Sequence, residues 1–371
     1  MNAPRWVGCF LAAMVALAPH FSRAAPPVDA PAPEELKSSE AVGGRVYRTH
    51  IDAGGANIAL WRYAASGDKS GPPIFIVPEL FCSRVWYDEF ALALQRRGRE
   101  VFLFEWRGSG QSGAPAAGFG DLASLFLGDA PAAFDAALEA SGAKSMELLG
   151  HGLGGAAAVM LAASARGEHI SSLVLISVPA NYAVPNLALR NLIAAVRALP
   201  APPAQVSAAS YASMDAPLGN PDRPGRWTEA QAPLDLFALL LAHGTVLSPA
   251  RTAQLRENLG GGTPALFADL ATWMEAGELR LGEGPRAPKQ TLGNAWALMA
   301  QPALLVASPL DNLVHLEHAL ALRGDRSRVR DELILQRIEG FPEDAGHLAI
   351  QSPWGPRVLA PRILDWLAEH P

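Results

Sequence analysis

The sequence predicts a doubly wound α/β sheet, mostly parallel, with a helical cap inserted into it. Residues 73–77 and 101–105 are continuous apolar runs, typical of strands buried on both faces, and a helical stretch over 83–97 lies between them. A strand, a helix and a strand in this order form a right-handed parallel crossover. The alternation stops between Pro179 and Pro302, where amphipathic stretches are joined by proline- and glycine-rich connections. We therefore expect a parallel core interrupted by a cap.

The composition permits a large core and argues against one class of partner. The chain has 371 residues, half of them hydrophobic, which suits one α/β core with an insertion. The formal net charge is −6, and lysine and arginine are scattered along the sequence rather than clustered. We therefore expect no basic surface for nucleic acid or anionic lipid.

The N-terminal 24 residues have the pattern of a secretory signal peptide. Residues 6–18 are apolar, and 22–24 form a small-x-small cleavage candidate. The apolar run is shorter than the ~20 residues that a spanning helix needs, so we expect no stable membrane span in the mature chain. Residues 25–42 are proline-rich and predict an extended linker. We expect a protein exported to the periplasm or beyond. Cleavage of the signal peptide removes Cys9 and leaves Cys82 as the single cysteine, so no intramolecular disulfide is possible.

The first elements of the predicted sheet are a hairpin and a helix. Residues 45–51 and 58–63 alternate in polarity and flank a glycine-containing turn at 53–56, which predicts a leading antiparallel hairpin. A helix is expected over 121–140, after the second buried strand. The core then continues into a strand at 173–177.

The last elements return to the core after the cap. Strands are expected at 303–307 and 333–338, followed by a closing helix over 354–369. These elements assign 43–180 and 300–371 to the core and 181–299 to the cap. Within the cap, amphipathic helical stretches are expected at 186–199, 234–242, 264–275 and 293–299.

The segment 146–161 has the strand-turn-helix layout of a nucleophile elbow, in which a side chain at the apex of a tight turn stands above the sheet. An apolar run enters a glycine-dense turn and leaves as an alanine-rich helix. The elbow pattern Gly-x-Ser-x-Gly is matched by Gly150, His151, Leu153 and Gly154. The apex is Gly152, which has no side chain, so the segment indicates the fold more strongly than the chemistry.

With this elbow, cap and strand order, the chain resembles the α/β-hydrolase superfamily, and within it the lipase- and esterase-like members with a helical lid. Besides the elbow, four motifs carry the resemblance and occur in the family's order, at 77–80, 105–112, 308–314 and 344–348. The second is similar to the family's Asp-x-Arg-Gly-x-Gly-x-Ser turn, with Glu105 in place of aspartate, and the resemblance implies a structural role for it.

The resemblance also implies roles for individual residues. Asp311 matches the triad acid and His347 the general base, and the N–H groups of Leu80 and Leu153 match the oxyanion-hole donors. Glu79 stands where these enzymes usually have glycine; its carboxylate would either repel an oxyanion or point into solvent. A histidine suits base catalysis near neutral pH, and an aspartate on its other nitrogen fixes tautomer and orientation. Both loops follow strands, so they meet at the carboxyl edge of the sheet.

A glycine at the apex cannot attack an acyl carbon, and this leaves two main hypotheses. In the first, the protein has the ancestry of a carboxylic-ester or acyl hydrolase, is impaired in catalysis, and binds a lipophilic acyl-type ligand beneath its cap. In the second, the protein is an active hydrolase in which His347 and Asp311 activate water in the room left by Gly152, with Glu79 as a further acid-base group.

Other assignments receive less support from the sequence. A third hypothesis places the nucleophile at Cys82 or Ser83 instead of at the apex of the elbow. Both residues lie outside the elbow turn. His151 beside the apex is interpreted as a packing residue. Nine tryptophans and an apolar cap leave a protein-protein interaction module as an alternative. The sequence has no HExxH or cysteine-based metal spacing, and no metal or cofactor is implied.

Overall fold

The structure is a computed structural model that describes residues 34–36, 45–65, 67, 69–113, 120–180, 243–260, 263–281, 290–323 and 330–371. Nine strands of the described chain form one sheet: β1 Glu34–Leu36, β2 Val46–Asp52, β3 Asn57–Tyr63, β4 Ile74–Val77, β5 Val101–Phe104, β6 Met146–His151, β7 Ile170–Ile176, β10 Ala303–Ala307 and β11 Arg330–Ile334. Their spatial order is β1-β2-β3-β5-β4-β6-β7-β10-β11. In this order, the neighbouring strands β5, β4, β6, β7, β10 and β11 pair in parallel. The pairs β1–β2, β2–β3 and β3–β5 are antiparallel, so the predicted mostly parallel sheet is confirmed.

The helices are α1 Asp88–Gln95, α2 Ala130–Ser141, α3 Leu153–Ala162, α4 Pro249–Glu257, α5 Pro264–Ala276, α6 Leu292–Leu298, α7 Leu316–Leu320 and α8 Ala360–Glu369. A short turn of helix, Leu122–Ser124, and a π-helical turn, Leu125–Asp129, lead into α2. A two-stranded ribbon pairs β8 Arg280–Leu281 with β9 Gln290–Thr291. Further 3-10 or π turns occur at Arg84–Trp86, Ala165–His169, Ala321–Arg323, Arg337–Glu339, Ala349–Gln351 and Gly355–Leu359.

Both faces of the central strands are covered by helices. Phe75 of β4 packs in the apolar cluster that contains Phe134 of α2, with ring centroids 5.6 Å apart. Its neighbour Ile76 belongs to the cluster on the opposite face, together with Phe90 of α1 and Ile363 of α8. Because successive side chains of a strand point to opposite faces, a continuously apolar strand must be covered on both sides.

Two core elements have boundaries that differ from the sequence prediction. The last strand is β11, not 333–338, because the register with β10 pairs Ala303 with Arg330 and ends at Ile334. This edge strand begins with charged residues, which apolar patterning does not find. The helix expected over 83–97 is reduced to a 3-10 turn and α1.

The N-terminal linker differs from the sequence prediction, and part of the predicted cap lies outside the described residues. Strand β1 lies within the expected extended linker 25–42 and pairs with β2. The cap helices expected at 186–199 and 234–242 lie outside the described residues, whereas α5 and α6 occupy the other two positions. Helix α4 was not predicted, because it lacks an apolar face and buries only Leu255. The division into a core and a cap at residues 181 and 299 stays a prediction.

Candidate active site

The elbow forms where β6 ends and α3 begins. Gly152 has φ 53° and ψ −126°, a conformation that strains residues with a side chain, and its N–H donates to the Ile176 carbonyl at 2.9 Å. A Cβ on Gly154 would collide with the carbonyl oxygens of Val77 and Pro78. These glycines therefore let the start of α3 approach the end of β4 closely, at the carboxyl edge of the sheet.

Glu79 fills the space above Gly152. Its carboxylate is buried, with only 4% of the residue exposed. Oε1 accepts hydrogen bonds from the N–H groups of Leu80 at 2.7 Å and Leu153 at 3.1 Å, and Oε2 lies 3.1 Å from the same Leu153 nitrogen. A Cβ built on Gly152 would overlap Oε2. The carboxylate therefore takes the two amides that the resemblance assigned to the oxyanion hole, together with the volume of the absent side chain. Of the two alternatives left open for Glu79, the one in which it points into solvent is wrong.

His347 and Asp311 lie beside this carboxylate. His347 Nδ1 donates to Asp311 Oδ2 at 2.9 Å, and both side chains are fully buried. Asp311 Oδ1 accepts the N–H groups of Leu313 and Val314, both at 2.8 Å, which fixes the acid at the end of β10. On its other side, His347 Nε2 lies 3.3 Å from Glu79 Oε2. This contact is an ion pair without good hydrogen-bond alignment, because Nε2 has no well-aligned acceptor in the described chain.

The charges around His347 favour its protonated form. Burial disfavours the imidazolium, but the charges of Asp311 and Glu79 and their contacts with the ring outweigh it and raise the pKa of His347 to about 10. The arrangement therefore favours an imidazolium between the carboxyl groups of Asp311 and Glu79 at neutral pH. A ring in that protonated form does not itself accept a proton.

His151 joins the loop of Glu79 to the loop of His347. The Glu79 N–H donates to Tyr87 Oη at 2.7 Å, so this hydroxyl is free to donate its own proton to His151 Nδ1 at 2.9 Å. His151 Nε2 then carries the hydrogen and donates to the His347 carbonyl at 3.1 Å. Burial, with the charge of His347, holds the pKa of His151 well below its usual value. His151 is thus a neutral, buried connector, and Tyr87 is a member of the site that the sequence pattern did not indicate.

The alternative nucleophiles are in unfavourable surroundings. Cys82 is a free, buried thiol, and burial, with the charge of Glu79, raises its pKa well above the usual value. A thiol held protonated is a poor nucleophile. Ser83 is also buried, and its Oγ has no partner among the described residues. Neither group has the exposed, activated character that covalent catalysis requires.

The turn after β5 is held by buried charges. The Glu105 carboxylate accepts the N–H groups of Arg84 and Gln111, both at 2.7 Å. Arg107 forms a forked ion pair with Asp129, which is fully buried. These contacts tie the turn to the 3-10 turn before α1 and to the π-helical turn before α2, which agrees with the structural role that the resemblance implied.

The segment 243–260 packs against the loops of the site. The His243 ring lies 2.9 Å from the Leu310 carbonyl, next to Asp311. Leu259 forms an isolated antiparallel bridge with Cys82, and the Gly260 N–H donates to the Phe81 carbonyl. This part of the predicted cap is thus fixed to the loop that carries Glu79.

Two classes of feature are missing from the described part of the chain. It contains no group of three or more His, Cys, Asp or Glu side chains placed to hold a metal ion. Among the described helices, none has the length and apolar character needed to cross a membrane.

Comparison with known proteins agrees with this architecture. A family model described as alpha/beta hydrolase fold matches residues 72–200. A protein of Burkholderia cenocepacia described as an aryl esterase is similar in structure, with a TM-score of 0.58 and 17% identity over 87% of this chain and 98% of the other. An enol-lactonase of Burkholderia xenovorans has a TM-score of 0.54 and 17% identity, covering 86% and 99%.

A hydrolase of Pseudomonas aeruginosa has a TM-score of 0.54 and 21% identity, covering 86% of this chain and 98% of the other. No curated protein matches the chain in sequence. Taken with the strand order and the elbow, these similarities show that the chain has the α/β-hydrolase fold.

Proposed function

We propose that the protein descends from carboxylic-ester or acyl hydrolases, does not carry out serine-type ester hydrolysis, and binds a lipophilic acyl-type ligand beneath its cap. The observation that carries the first part is the position of the Glu79 carboxylate. It occupies the volume of the nucleophile above Gly152 and accepts both amide hydrogen bonds that would stabilise an oxyanion.

The loss of activity follows from two independent effects. Gly152 supplies no nucleophile, and a triad without one member typically retains only ~10³–10⁴-fold acceleration over water. That residual rate depends on an open oxyanion hole, and here a negative charge already fills the hole. A substrate carbonyl would have to displace Glu79 from two amides and from the His347 imidazolium.

The alternative in which His347 and Asp311 activate water receives less support. Glu79 fills the room that Gly152 would leave for a water molecule. The same carboxylate helps to hold His347 protonated. Water activation would require both the departure of Glu79 and the loss of a proton from a group with a raised pKa.

A lipophilic ligand is supported by the apolar rim next to the site. Leu310 precedes Asp311 and is 39% exposed, and Val246 on the neighbouring segment is 67% exposed. The segment that carries Val246 contacts the loop of Asp311, because the His243 ring lies 2.9 Å from the Leu310 carbonyl. Partly exposed aliphatic side chains at a site edge suit an acyl chain better than a polar ligand.

The test is ester hydrolysis by the native protein and five variants: Gly152→Ser, Glu79→Gly, Glu79→Gly/Gly152→Ser, this double variant with His347→Ala, and His347→Ala alone. We expect no ester hydrolysis by the native protein, by Gly152→Ser or by Glu79→Gly. In Gly152→Ser the Glu79 carboxylate still fills the site, and in Glu79→Gly the chain still lacks a nucleophile. The double variant should gain at least ~10²-fold over background, and His347→Ala should abolish the gain. Native turnover that disappears with His347→Ala would instead establish the water mechanism.

The binding role and the export of the chain need separate tests. Long-chain acyl compounds should raise the melting temperature of the native protein by mass action, and no shift with any chain length would contradict the binding role. We also propose export after removal of residues 1–24, as a signal peptide. N-terminal sequencing of the protein recovered from its native host should begin near Ala25, and an intact Met1 terminus would reject this proposal.

A further inference from the structure

A basic groove lies on the surface between three elements of the core and the cap. It has a volume of about 530 Å³ and is lined by residues from three segments: 89–97 in and after α1, 247–251 at the start of α4, and 351–357 after His347. Four arginines line it: Arg96, Arg97, Arg251 and Arg357. One carboxylate, that of Glu89, also lines it. We call this feature the arginine groove. Its arginines come from three separate parts of the sequence, at 96–97, 251 and 357, so the sequence did not predict it.

The guanidinium groups of the arginine groove have few partners within the protein. Glu89 Oε1 lies 3.9 Å from Arg251, and its side chain is 58% exposed. Among the described residues, Arg96, Arg97 and Arg357 form no ion pair with a carboxylate. Arg97 Nη1 donates to the neutral Ala93 carbonyl at 3.0 Å, and Arg251 interacts with the charges of Glu89 and Asp88. The excess positive charge of the groove is therefore that of Arg96, Arg97 and Arg357.

Two buried side chains in the groove have unmade hydrogen bonds. Gln351 is 3% exposed, and neither its amide nitrogen nor its amide oxygen has a partner in the described chain. The Arg251 side chain is 12% exposed. Its Nη1 donates to Gln254 at 2.7 Å, whereas its Nε and Nη2 are buried without an acceptor. Buried donors of this kind are nearly always satisfied in folded proteins, so a ligand that draws these two side chains toward the groove would supply hydrogen bonds that they do not make within the chain.

A tetrahedral oxyanion has the chemistry that suits the guanidinium groups lining the groove. The Nε and Nη2 of one guanidinium group point the same way and can bind two oxygens of a phosphate at once. Arg96, Arg97 and Arg357 are exposed and offer such donors at the surface of the groove. Leu92 and Leu247 line the groove too, which provides an apolar surface for an organic substituent.

We propose that the arginine groove binds the phosphate group of an organic phosphate ester. The ligand is either a small phosphorylated metabolite or the headgroup of an anionic phospholipid, since both present the same phosphate oxygens beside an apolar or glyceryl portion. The site is separate from Glu79 and Gly152, and it does not depend on whether the protein hydrolyses esters.

The test measures binding to the full mature protein at constant ionic strength. Calorimetric titrations use inorganic phosphate and glycerol 3-phosphate, and sedimentation uses phosphatidylcholine vesicles with and without phosphatidylglycerol. The exposed pair Arg96→Gln/Arg357→Gln tests the groove without disturbing buried groups, and Arg251→Gln tests the buried guanidinium. Arg280→Gln is the matched control, because it removes one charge from an exposed arginine outside the groove.

We expect Arg96→Gln/Arg357→Gln to weaken binding by about tenfold or more, since two charge-assisted contacts are lost, and Arg280→Gln to leave it unchanged. Binding of glycerol 3-phosphate identifies a soluble ligand, and binding only to vesicles with phosphatidylglycerol identifies a headgroup; both support the proposal. The proposal is overturned if no phosphate compound binds, if chloride at equal ionic strength competes fully, or if the control variant weakens binding as much as the groove variants.

Discussion

Glu79 and Gly152 depart from the family pattern at two positions that touch each other. The Glu79 carboxylate reaches the amides of Leu80 and Leu153 only because no Cβ stands on Gly152. Conversely, the volume left by a missing side chain is filled, so the core has no void at this point. The two substitutions are therefore physically complementary, and each favours retention of the other.

The residues of the site were predictable from sequence, but the direction of Glu79 was not. Motif order located Asp311, His347 and the apex because the superfamily presents these groups at fixed strand ends. The direction of Glu79 depends on a pair of contacts across 74 positions, which no local pattern encodes. Tyr87 was missed for the same reason, since its role exists only through His151 and the Glu79 amide.

Neutralising Glu79 should lower the pKa of His347. In Glu79→Gln one of the two negative neighbours loses its charge, so the imidazolium is less stabilised and should titrate below the native value of about 10. The measurement is a ¹⁵N NMR titration of the His347 ring. Glu168→Gln is the control, because the Glu168 side chain is exposed and interacts with His169 rather than with the site. An unchanged midpoint in Glu79→Gln would show that the carboxylate does not interact with the ring in solution.

At the scale of elements, helix α3 depends on small residues for its position. All ten of its residues are buried, and a Cβ on Gly154 would collide with backbone oxygens at the end of β4, which cannot move as a side chain can. The close approach of α3 places the Leu153 N–H beside Glu79. The sequence predicted this element well, because a glycine-dense turn followed by alanines has few alternative structures. It predicted β11 poorly, because an edge strand needs no apolar pattern.

Gly154→Ala should be strongly destabilising, by roughly 3 kcal/mol or more, because helix and strand must separate to admit one methyl group. Gly293→Ala is the matched control within another helix, α6. A Cβ there would meet only Glu278 Oε1 at 3.8 Å, so the change should be neutral or stabilise by up to about 1 kcal/mol. Urea unfolding of both variants measures the difference, and equal stabilities would contradict the close packing of α3 on β4.

At the scale of the whole molecule, the buried charges of the site link stability to pH. His347 titrates near 10 in the folded protein, whereas an unfolded histidine titrates near ~6.5. Since the folded pKa is the higher one, the stabilisation is complete below ~6.5, decreases as the pH rises, and is lost above about 10. The unfolding free energy should therefore fall by an amount on the order of a few kcal/mol across this window.

Urea unfolding between pH 6 and pH 10 measures this dependence. His347→Ala should remove the part of the slope that His347 contributes, and Glu79→Gln should reduce it, because both weaken the same charge pair. A slope in His347→Ala as steep as that of the native protein would assign the pH dependence to other groups. The parallel core that carries these charges was predictable because its strands are apolar throughout, whereas the charge balance required the folded structure.

The bridge between Cys82 and Leu259, with the hydrogen bond from Gly260 to Phe81, has a consequence for communication between the two parts of the fold. The Leu80 amide that binds Glu79 belongs to the same short loop as Phe81 and Cys82, and this loop is paired with the segment 259–260. A shift of this loop therefore changes the Glu79 contact and the position of the segment together. A molecule that binds the cap and shifts residues 259–260 would weaken the hold on Glu79, and by thermodynamic reciprocity a molecule that displaces Glu79 would loosen the cap.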